Sequence, residues 1–248
     1  MDAYRILMEF YEAGDNIYLF GFSRGAFTVR SLAGMIYKCG LLEKGSDNLV
    51  EYASKIYNTK KNDEVAAGFK AIFSRACPVH FIGVWDTVKS LSMNADKKFH
   101  DSKLNPDVTL GYQALAIDEK REKFPYDAWD TNSAAAGQTI EQVWFAGVHS
   151  DVGGWYDERG LSNLALQWML EKAGGCGMEI DATVAGKFPG NPHDEIHESY
   201  TGLWIIFGSD PREIRENASI HQSVKDRMEN AANDYNPGNL PANINWVS

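Results

Sequence analysis

The sequence predicts an α/β protein with a mostly parallel sheet flanked by helices, and three observations support this fold class. Short apolar runs alternate with segments of helical periodicity along the 248 residues, a pattern typical of parallel sheets with helical crossovers. A G-x-S-x-G pentapeptide, residues 21–25, lies between an apolar run and a helical segment. Two further apolar runs are followed directly by an aspartate and a histidine. We expect the whole chain, residues 1–248, to form a single domain.

Each element follows from local periodicity and from the glycine and proline punctuation. Strands are predicted at residues 17–20, 79–84 and 143–146. Helices are predicted at residues 3–11, 26–39, 49–57, 64–74, 110–120 and 161–172. Three segments remain, which are a polar surface excursion at 89–105, a short apolar run at 203–207 and an irregular surface tail at 235–248.

Composition excludes several classes of protein. The net charge of −10 argues against a general nucleic-acid binder, which needs a basic face, and against simple electrostatic docking onto anionic lipid. The three cysteines are scattered and odd in number, which favours free thiols in a reducing compartment over a disulfide framework. No apolar run approaches the length of a membrane span, and the N-terminus lacks the basic start of a signal peptide. We therefore expect no transmembrane segment and a cytoplasmic location.

The pentapeptide predicts a nucleophile elbow. Its serine, Ser23, would project from a sharp turn between a strand and a helix. Gly21 and Gly25 would let the chain pass without side-chain clashes, and the helix N-terminus would present N–H donors beside the hydroxyl. The alternatives are a tight turn whose serine only caps the helix, and a phosphate site without chemistry, although the lysine of a P-loop is missing.

Two candidate partners for Ser23 follow predicted strands. Asp86 comes directly after FIGVW, and His149 comes directly after VWFAGV. Because the carboxyl ends of parallel strands meet at one edge of the sheet, we expect both residues to lie beside Ser23. A serine hydroxyl needs a base, and the base needs an orienting acid. Ser23, His149 and Asp86 are therefore the predicted nucleophile, base and acid, in the chain order of α/β-hydrolases.

Other roles are open for these residues. Asp86 would equally cap a following helix, and His149 would fit a buried core position. Asp151 is an alternative acid or a partner of a loop amide, and His221 is the alternative base. His149 and Asp151 are also spaced to ligate a metal, but no third ligand stands at a diagnostic spacing, so no metal site is predicted.

An oxyanion hole needs two donors aimed at the developing charge. The backbone N–H of Arg24, the residue after the nucleophile, is the predicted first donor. The second donor normally comes from a loop after an earlier strand, but the residues before the nucleophile strand predict one helix only. Arg24 and Arg30 are also candidates for contacting a phosphate-bearing substrate, with surface ion pairing as the alternative.

Several long blocks, in order, resemble the DUF2235 family of α/β-hydrolase-like proteins. They include YLFGFSRGAFTVRSLAGMIYKCGLL, FIGVWDTV, VWFAGVHSDVGGWY and TGLWIIFG, and the likeness runs over residues 4–241. The family includes type VI secretion phospholipase effectors of the Tle1 type. The resemblance implies a serine hydrolase that cleaves small-molecule or lipid esters, phospholipids among them, without metal or organic cofactor. It also implies delivery from the cell by such a secretion system.

Two departures from the family pattern affect this expectation. Members usually open with a strand and an Asp-Gly-Thr motif ahead of the elbow, which this chain lacks, and Gln113 stands where the family often has histidine. We therefore expect an N-terminally truncated hydrolase-like sheet with an exposed edge, which a second copy or a partner would cover. The alternative function is a catalytically weak module that binds a ligand or partner.

Overall fold

The computed structural model describes residues 1–88, 103–232 and 234–248. In these residues the centre of the fold is a parallel sheet of six strands, all running in the same direction. In spatial order the strands are β1 (Ile17–Phe22), β4 (Val79–Trp85), β5 (Val108–Ala116), β6 (Thr139–Phe145), β7 (Ala218–His221) and β8 (Ile244–Val247). A short antiparallel pair joins β2 (Leu41–Leu42) to β3 (Ser74–Arg75).

Helices cover the sheet. They are α1 (Asp2–Phe10), α2 (Arg24–Cys39), α3 (Asp47–Asn58), α4 (Asp63–Phe73), α5 (His149–Gly153), α6 (Gly160–Gly175), α7 (Ala182–Ala185) and α8 (Gln222–Glu229). Of these, α1, α2, α3, α4 and α6 begin and end close to where the sequence predicts, whereas α5, α7 and α8 were not predicted. Two 3-10 turns lie at Thr131–Ser133 and Gly202–Phe207. In the described part of the chain, none of the helices is long and apolar enough to cross a membrane.

The core lies on both faces of the sheet. On one face α2 packs against the sheet around Ile36, Val79 and Ile82, and α1, α3 and α4 complete the same cluster. Helix α6 packs against the other face, where Trp168 and Met169 meet Phe81, Tyr112 and Phe145. A third cluster joins β6, β7 and β8 to α8. The α/β fold class predicted from the sequence, with a mostly parallel sheet flanked by helices, is confirmed.

Two predicted elements are wrong. Residues 110–120 do not form a helix, because Val108–Ala116 is the strand β5 between β4 and β6. This strand is almost continuously buried, so its apolar run lacks the alternation of a half-exposed strand and resembles a buried helix. The tail is not irregular throughout, because Ile244–Val247 pairs with β7, a strand that the sequence did not predict. Most of the predicted excursion at 89–105 lies outside the described residues.

The parallel arrangement brings several strand ends together at one edge. Beyond the strands themselves, the Ser23 N–H donates to the Trp85 carbonyl at 3.0 Å and the Asp86 N–H donates to the Ala114 carbonyl at 2.8 Å. Ser23 and Asp86 therefore leave adjacent strands at the same level. Within the described residues, β1 is hydrogen-bonded on one side only, to β4, and forms the end of the sheet.

Candidate active site

Ser23 occupies a strained turn between β1 and α2. Its φ is 57° and its ψ is −119°, a region that residues with a side chain rarely adopt. A Cβ on Gly21 would lie 2.5 Å from the Gly25 carbonyl oxygen, so the turn requires glycine at position 21. The same expectation for Gly25 is wrong, because a Cβ there would meet no described heavy atom within 4 Å.

The structure brings Ser23, His149 and Asp86 into one hydrogen-bonded chain. His149 Nε2 lies 2.8 Å from Ser23 Oγ, and His149 Nδ1 lies 2.5 Å from Asp86 Oδ2. Ser23 is half-buried, whereas His149 and Asp86 are buried, Asp86 completely. The hydroxyl therefore stands at the open end of the chain and the carboxylate at its closed end.

Arg212 fixes the buried carboxylate of Asp86. Its Nη1 donates to Asp86 Oδ1 at 2.5 Å and its Nη2 to Asp86 Oδ2 at 2.8 Å. The same guanidinium donates to the carbonyls of Ala116 and Phe124, and the Ala116 N–H donates to Asp86 Oδ1 at 3.0 Å. No sequence motif points to Arg212, because it lies in an irregular segment far along the chain from Asp86.

These contacts determine the ionisation of Asp86. Burial by itself would raise the pKa of this carboxyl. The charge of Arg212 and the hydrogen bonds from His149 and Arg212 outweigh burial, and they hold the pKa of Asp86 well below its ordinary value. Asp86 is therefore an anion at neutral pH, oriented to accept the Nδ1–H of His149.

Helix α5 carries His149 back over the sheet toward Ser23. A Cβ on Gly153 would overlap the Phe22 ring, so glycine at this position lets α5 approach the end of β1. The His149 imidazole packs against Phe22, with ring centroids 4.6 Å apart, and against the edge of Phe124 at 5.2 Å. These two aromatic contacts restrict the orientation of the ring.

Glu119 and Arg121 support the backbone of the same helix. The His149 N–H donates to Glu119 Oε2 at 3.3 Å, and Arg121 donates to both oxygens of Glu119. Burial by itself would raise the pKa of Glu119, but the hydrogen bonds from Arg121 and its charge lower it. This carboxylate is a second buried anion beside the site, and no sequence motif predicts it.

Asp151, the alternative acid, does not face the His149 ring. Its Oδ2 accepts the N–H groups of Val148 and His197 at 2.9 and 3.1 Å, and its Oδ1 lies 2.6 Å from His197 Nδ1. Burial opposes protonation of His197, but the contacts with Asp151 and Glu158 raise its pKa. The sequence offered two roles for Asp151, orienting acid or partner of a loop amide, and the structure shows it bonded to the Val148 amide at the start of α5 and to the His197 amide in a separate loop.

His221, the alternative base, lies elsewhere. Its strand β7 is four positions from β1 in the sheet, a distance of about 19 Å at the usual strand spacing. His221 Nδ1 contacts Ser223 Oγ at 2.7 Å, and the ring stacks on Phe145. Burial lowers the pKa of His221 to about 4, so the imidazole is neutral at pH 7. The contacts of this ring are those of a helix cap.

The remaining candidates have the following surroundings. Arg24 is exposed at the start of α2. Arg30 is buried, pairs with Asp127 Oδ2 at 3.3 Å and lies over Trp129. Gln113 is buried in β5 and donates to the Asp127 carbonyl at 3.3 Å. Among the described residues, no group of three His, Cys, Asp or Glu side chains is arranged to hold a metal ion.

A cavity of about 580 Å³ opens beside the turn that carries Ser23. Its lining combines the end of β1 with the loop that follows α5 and the first half of α6. The aromatic and aliphatic lining residues include Phe20, Phe22, Trp85, Leu166 and Phe188. Asp157, Arg159, Ser162 and Asn163 also line the cavity, which therefore offers mixed apolar and polar surface beside Phe22 and Trp85, the residues that directly precede Ser23 and Asp86.

The fold and this arrangement define the class of protein, an α/β protein with a serine, a histidine and an aspartate linked at the carboxyl edge of a parallel sheet. A family profile described as the catalytic domain of Tle1-like type VI secretion phospholipase effectors matches residues 1–172. The chain belongs to this family, which confirms the relationship expected from the sequence blocks.

Two individual proteins are similar to parts of the chain. The uncharacterized protein YEL023C of Saccharomyces cerevisiae is 40% identical over 134 residues, which cover 49% of this chain and 20% of the yeast protein. A crystal structure of an uncharacterized protein from Pseudomonas aeruginosa is 20% identical, with a TM-score of 0.44, over 72% of this chain and 27% of that chain. The chain thus spans about a fifth of the length of its curated relative and about a quarter of the solved one.

Proposed function

We propose that the chain is a serine hydrolase that cleaves carboxylic esters of lipids, with phospholipids as the principal class. The observation that carries the proposal is the position of Ser23 Oγ, 2.8 Å from His149 Nε2, while His149 Nδ1 lies 2.5 Å from a buried aspartate. A serine, a base and an orienting acid in hydrogen-bond contact are the requirements of nucleophilic catalysis by a hydroxyl.

The reaction follows from the tautomer that Asp86 imposes. Because ionised Asp86 accepts a hydrogen bond, the proton of neutral His149 resides on Nδ1 and Nε2 is free to accept the Ser23 proton. Ser23 Oγ attacks the ester carbonyl carbon, His149 takes the proton, and Asp86 stabilises the imidazolium. The alcohol leaves with that proton, and water then releases the acid from the acyl-serine by the same steps.

The N-terminus of α2 supports the oxyanion in this proposal. The first N–H groups of a helix have no partner within the helix, and here the first intrahelical bond runs from Phe27 to the Ser23 carbonyl. We assign the Arg24 N–H as an oxyanion donor, because it directly follows the nucleophile. The partial positive charge of the helix start favours the developing anion.

Two observations support a lipid as the substrate. The matching family is described as phospholipase effectors, and the cavity beside Ser23 is lined by aromatic and aliphatic side chains that suit an acyl chain. Delivery by a type VI secretion system belongs to the same proposal. In the proposed complex with substrate, the acyl chain occupies the cavity and the ester carbonyl lies over Ser23.

The test is hydrolysis of a chromogenic short-chain ester and of phosphatidylcholine by the purified chain. We expect Ser23→Ala and His149→Gln each to lower kcat by about 10³-fold or more. His221→Gln, which removes the alternative base, should retain wild-type kcat within about twofold. If Ser23→Ala hydrolyses both esters as fast as the wild type, or if wild type and buffer cannot be distinguished, the chain is not a serine hydrolase.

A further inference from the structure

The 3-10 turn Gly202–Phe207 presents an unusual concentration of exposed apolar side chains. Leu203 is 76% exposed, Ile205 57%, Ile206 77% and Phe207 47%. Single exposed apolar residues are normal on protein surfaces, but four within one turn mark an interaction site. We refer to residues 202–207 as the apolar turn.

The base of the apolar turn is fixed, so the outward direction of these side chains is part of the fold. Backbone bonds join the segment after the turn to the 120–122 segment, from the Asp210 N–H to the Lys120 carbonyl at 2.8 Å and from the Glu122 N–H to the Gly208 carbonyl at 3.2 Å. The Tyr200 hydroxyl donates to the Ile205 carbonyl at 3.1 Å. These hydrogen bonds therefore hold the backbone of the apolar turn in a conformation that exposes its aliphatic side chains to solvent.

The apolar turn also lies beside the proposed active site. The Trp204 ring meets Phe124 edge to face with centroids 5.2 Å apart, and Phe124 meets the His149 ring at the same separation. One aromatic side chain thus separates the base of the apolar turn from the imidazole. A surface that bound the apolar turn would therefore lie next to this site.

Size and charge indicate the kind of surface. Four partly exposed side chains amount to about 300–500 Å² of apolar area, well below the roughly 800 Å² per partner of a standard protein interface. The neighbouring cations already have carboxylate partners, Lys120 with Glu198 at 2.6 Å and Arg121 with Glu119 at 2.7 Å. These cations are thus neutralised, on a chain of net charge −10, which suits a neutral lipid surface rather than an anionic one.

We propose that the apolar turn inserts into the surface of a zwitterionic lipid bilayer and thereby holds the Ser23 site against its substrate. Leu203, Ile205, Ile206 and Phe207 enter the boundary between headgroups and acyl chains, with Trp204 and Tyr200 at headgroup level. Because the apolar area supplies the affinity, binding depends little on salt. The inference rests on the proposed function, since it assigns the lipid-facing side of that same site.

The test measures binding to phosphatidylcholine vesicles by co-sedimentation, in a Ser23→Ala background so that no lipid is consumed. The double variant Leu203→Ser/Ile206→Ser should bind at least about tenfold more weakly than its parent. Ile72→Ser is the matched control, because Ile72 is 73% exposed on α4, and it should bind like the parent. In the Ser23 protein, the double substitution should leave hydrolysis of a water-soluble ester unchanged.

The outcomes separate this inference from the proposed function. Equal vesicle binding by parent and double variant would overturn the inference. Binding that requires phosphatidylglycerol and disappears in 0.5 M salt, where ionic attraction is screened, would also overturn it. A double variant that loses an oligomer and keeps its vesicle binding would overturn it as well. Vesicle binding through the apolar turn by a protein that hydrolyses no ester would retain the inference and reject the proposed chemistry.

Discussion

Asp86 is the residue on which most of the site's contacts converge. It lies in a left-handed backbone conformation, with φ at 41°, directly after a central strand. Its two oxygens accept hydrogen bonds from His149, from Arg212 and from the Ala116 N–H. A buried charge is tolerated only when it is paired and hydrogen-bonded, and these contacts meet that condition. Strain and a buried ion pair at one residue are typical of a functional site.

Removing Arg212 should therefore leave a costly charge in the core. We expect Arg212→Met to lower the free energy of unfolding at pH 7 by about 3–5 kcal/mol, measured by urea denaturation. Arg212→Lys should recover part of this loss, because it restores the charge but not the fork of donors. The double variant Asp86→Asn/Arg212→Met should be less destabilised than the sum of the two single variants. Additive effects would show that the two side chains are not coupled.

The same pair predicts how stability depends on pH. The folded-state pKa of Asp86 is lowered, so its stabilising contribution is present above the ordinary aspartate pKa of about 4. It is lost as the pH falls through the lowered value. Arg212→Met removes the charge and hydrogen bonds of Arg212 and leaves those of His149, so the pKa of Asp86 rises and this loss should begin at higher pH. Urea denaturation of both proteins between pH 7 and pH 3 measures the shift.

At the residue scale, the sequence predicts the meeting of Ser23, Asp86 and His149 better than it predicts the residues that contact them. Ser23, Asp86 and His149 each follow an apolar strand, and a parallel sheet brings such positions to one edge, so their meeting could be anticipated. Arg212 contacts Asp86 from an irregular segment, and Glu119 contacts the His149 backbone from the end of a segment that the sequence wrongly predicts as a helix. A charge that pairs across the core leaves no local signal, so these two partners emerge only from the tertiary structure.

At the scale of elements, α5 determines whether the site forms. This helix is short, His149–Gly153, and contacts between Gly153 and Phe22 place it over the end of β1. The element was predicted only as the segment after a strand, because five residues carry too little periodicity to identify a helix. For strand β5 the prediction failed in a different way. Its long buried apolar run was interpreted as a helix, and that interpretation is wrong.

Two glycine substitutions test this placement. Gly153→Ala should lower both the melting temperature and the rate of ester hydrolysis, because the new Cβ would overlap the Phe22 ring and displace α5. Gly25→Ala is the matched control within the pentapeptide, since a Cβ there would meet no described heavy atom within 4 Å. We expect it to leave both quantities close to wild type. A Gly153→Ala protein with normal activity would show that the close approach of α5 to β1 is not required.

At the scale of the molecule, the site and the apolar turn share one edge of a parallel sheet. Strand β1, which directly precedes Ser23, forms the end of that sheet within the described residues. The fold class and most helices could be predicted from alternating periodicity. The two C-terminal strands could not, because four-residue strands late in the chain obtain their stability from pairing rather than from their own sequence. The expectation that a second copy or a partner covers the β1 edge stays a prediction.

The central claim is that His149 activates Ser23, and covalent labelling by a fluorophosphonate measures this most directly. The probe reacts only with an activated serine, whose Oγ displaces fluoride from phosphorus, and mass spectrometry of the digested protein identifies the modified residue. We predict modification at Ser23 in the wild type and in His221→Gln, much slower modification in His149→Gln, and none at position 23 in Ser23→Ala. An unmodified Ser23 in the folded wild type, or a labelling rate unaffected by His149→Gln, would contradict the claim.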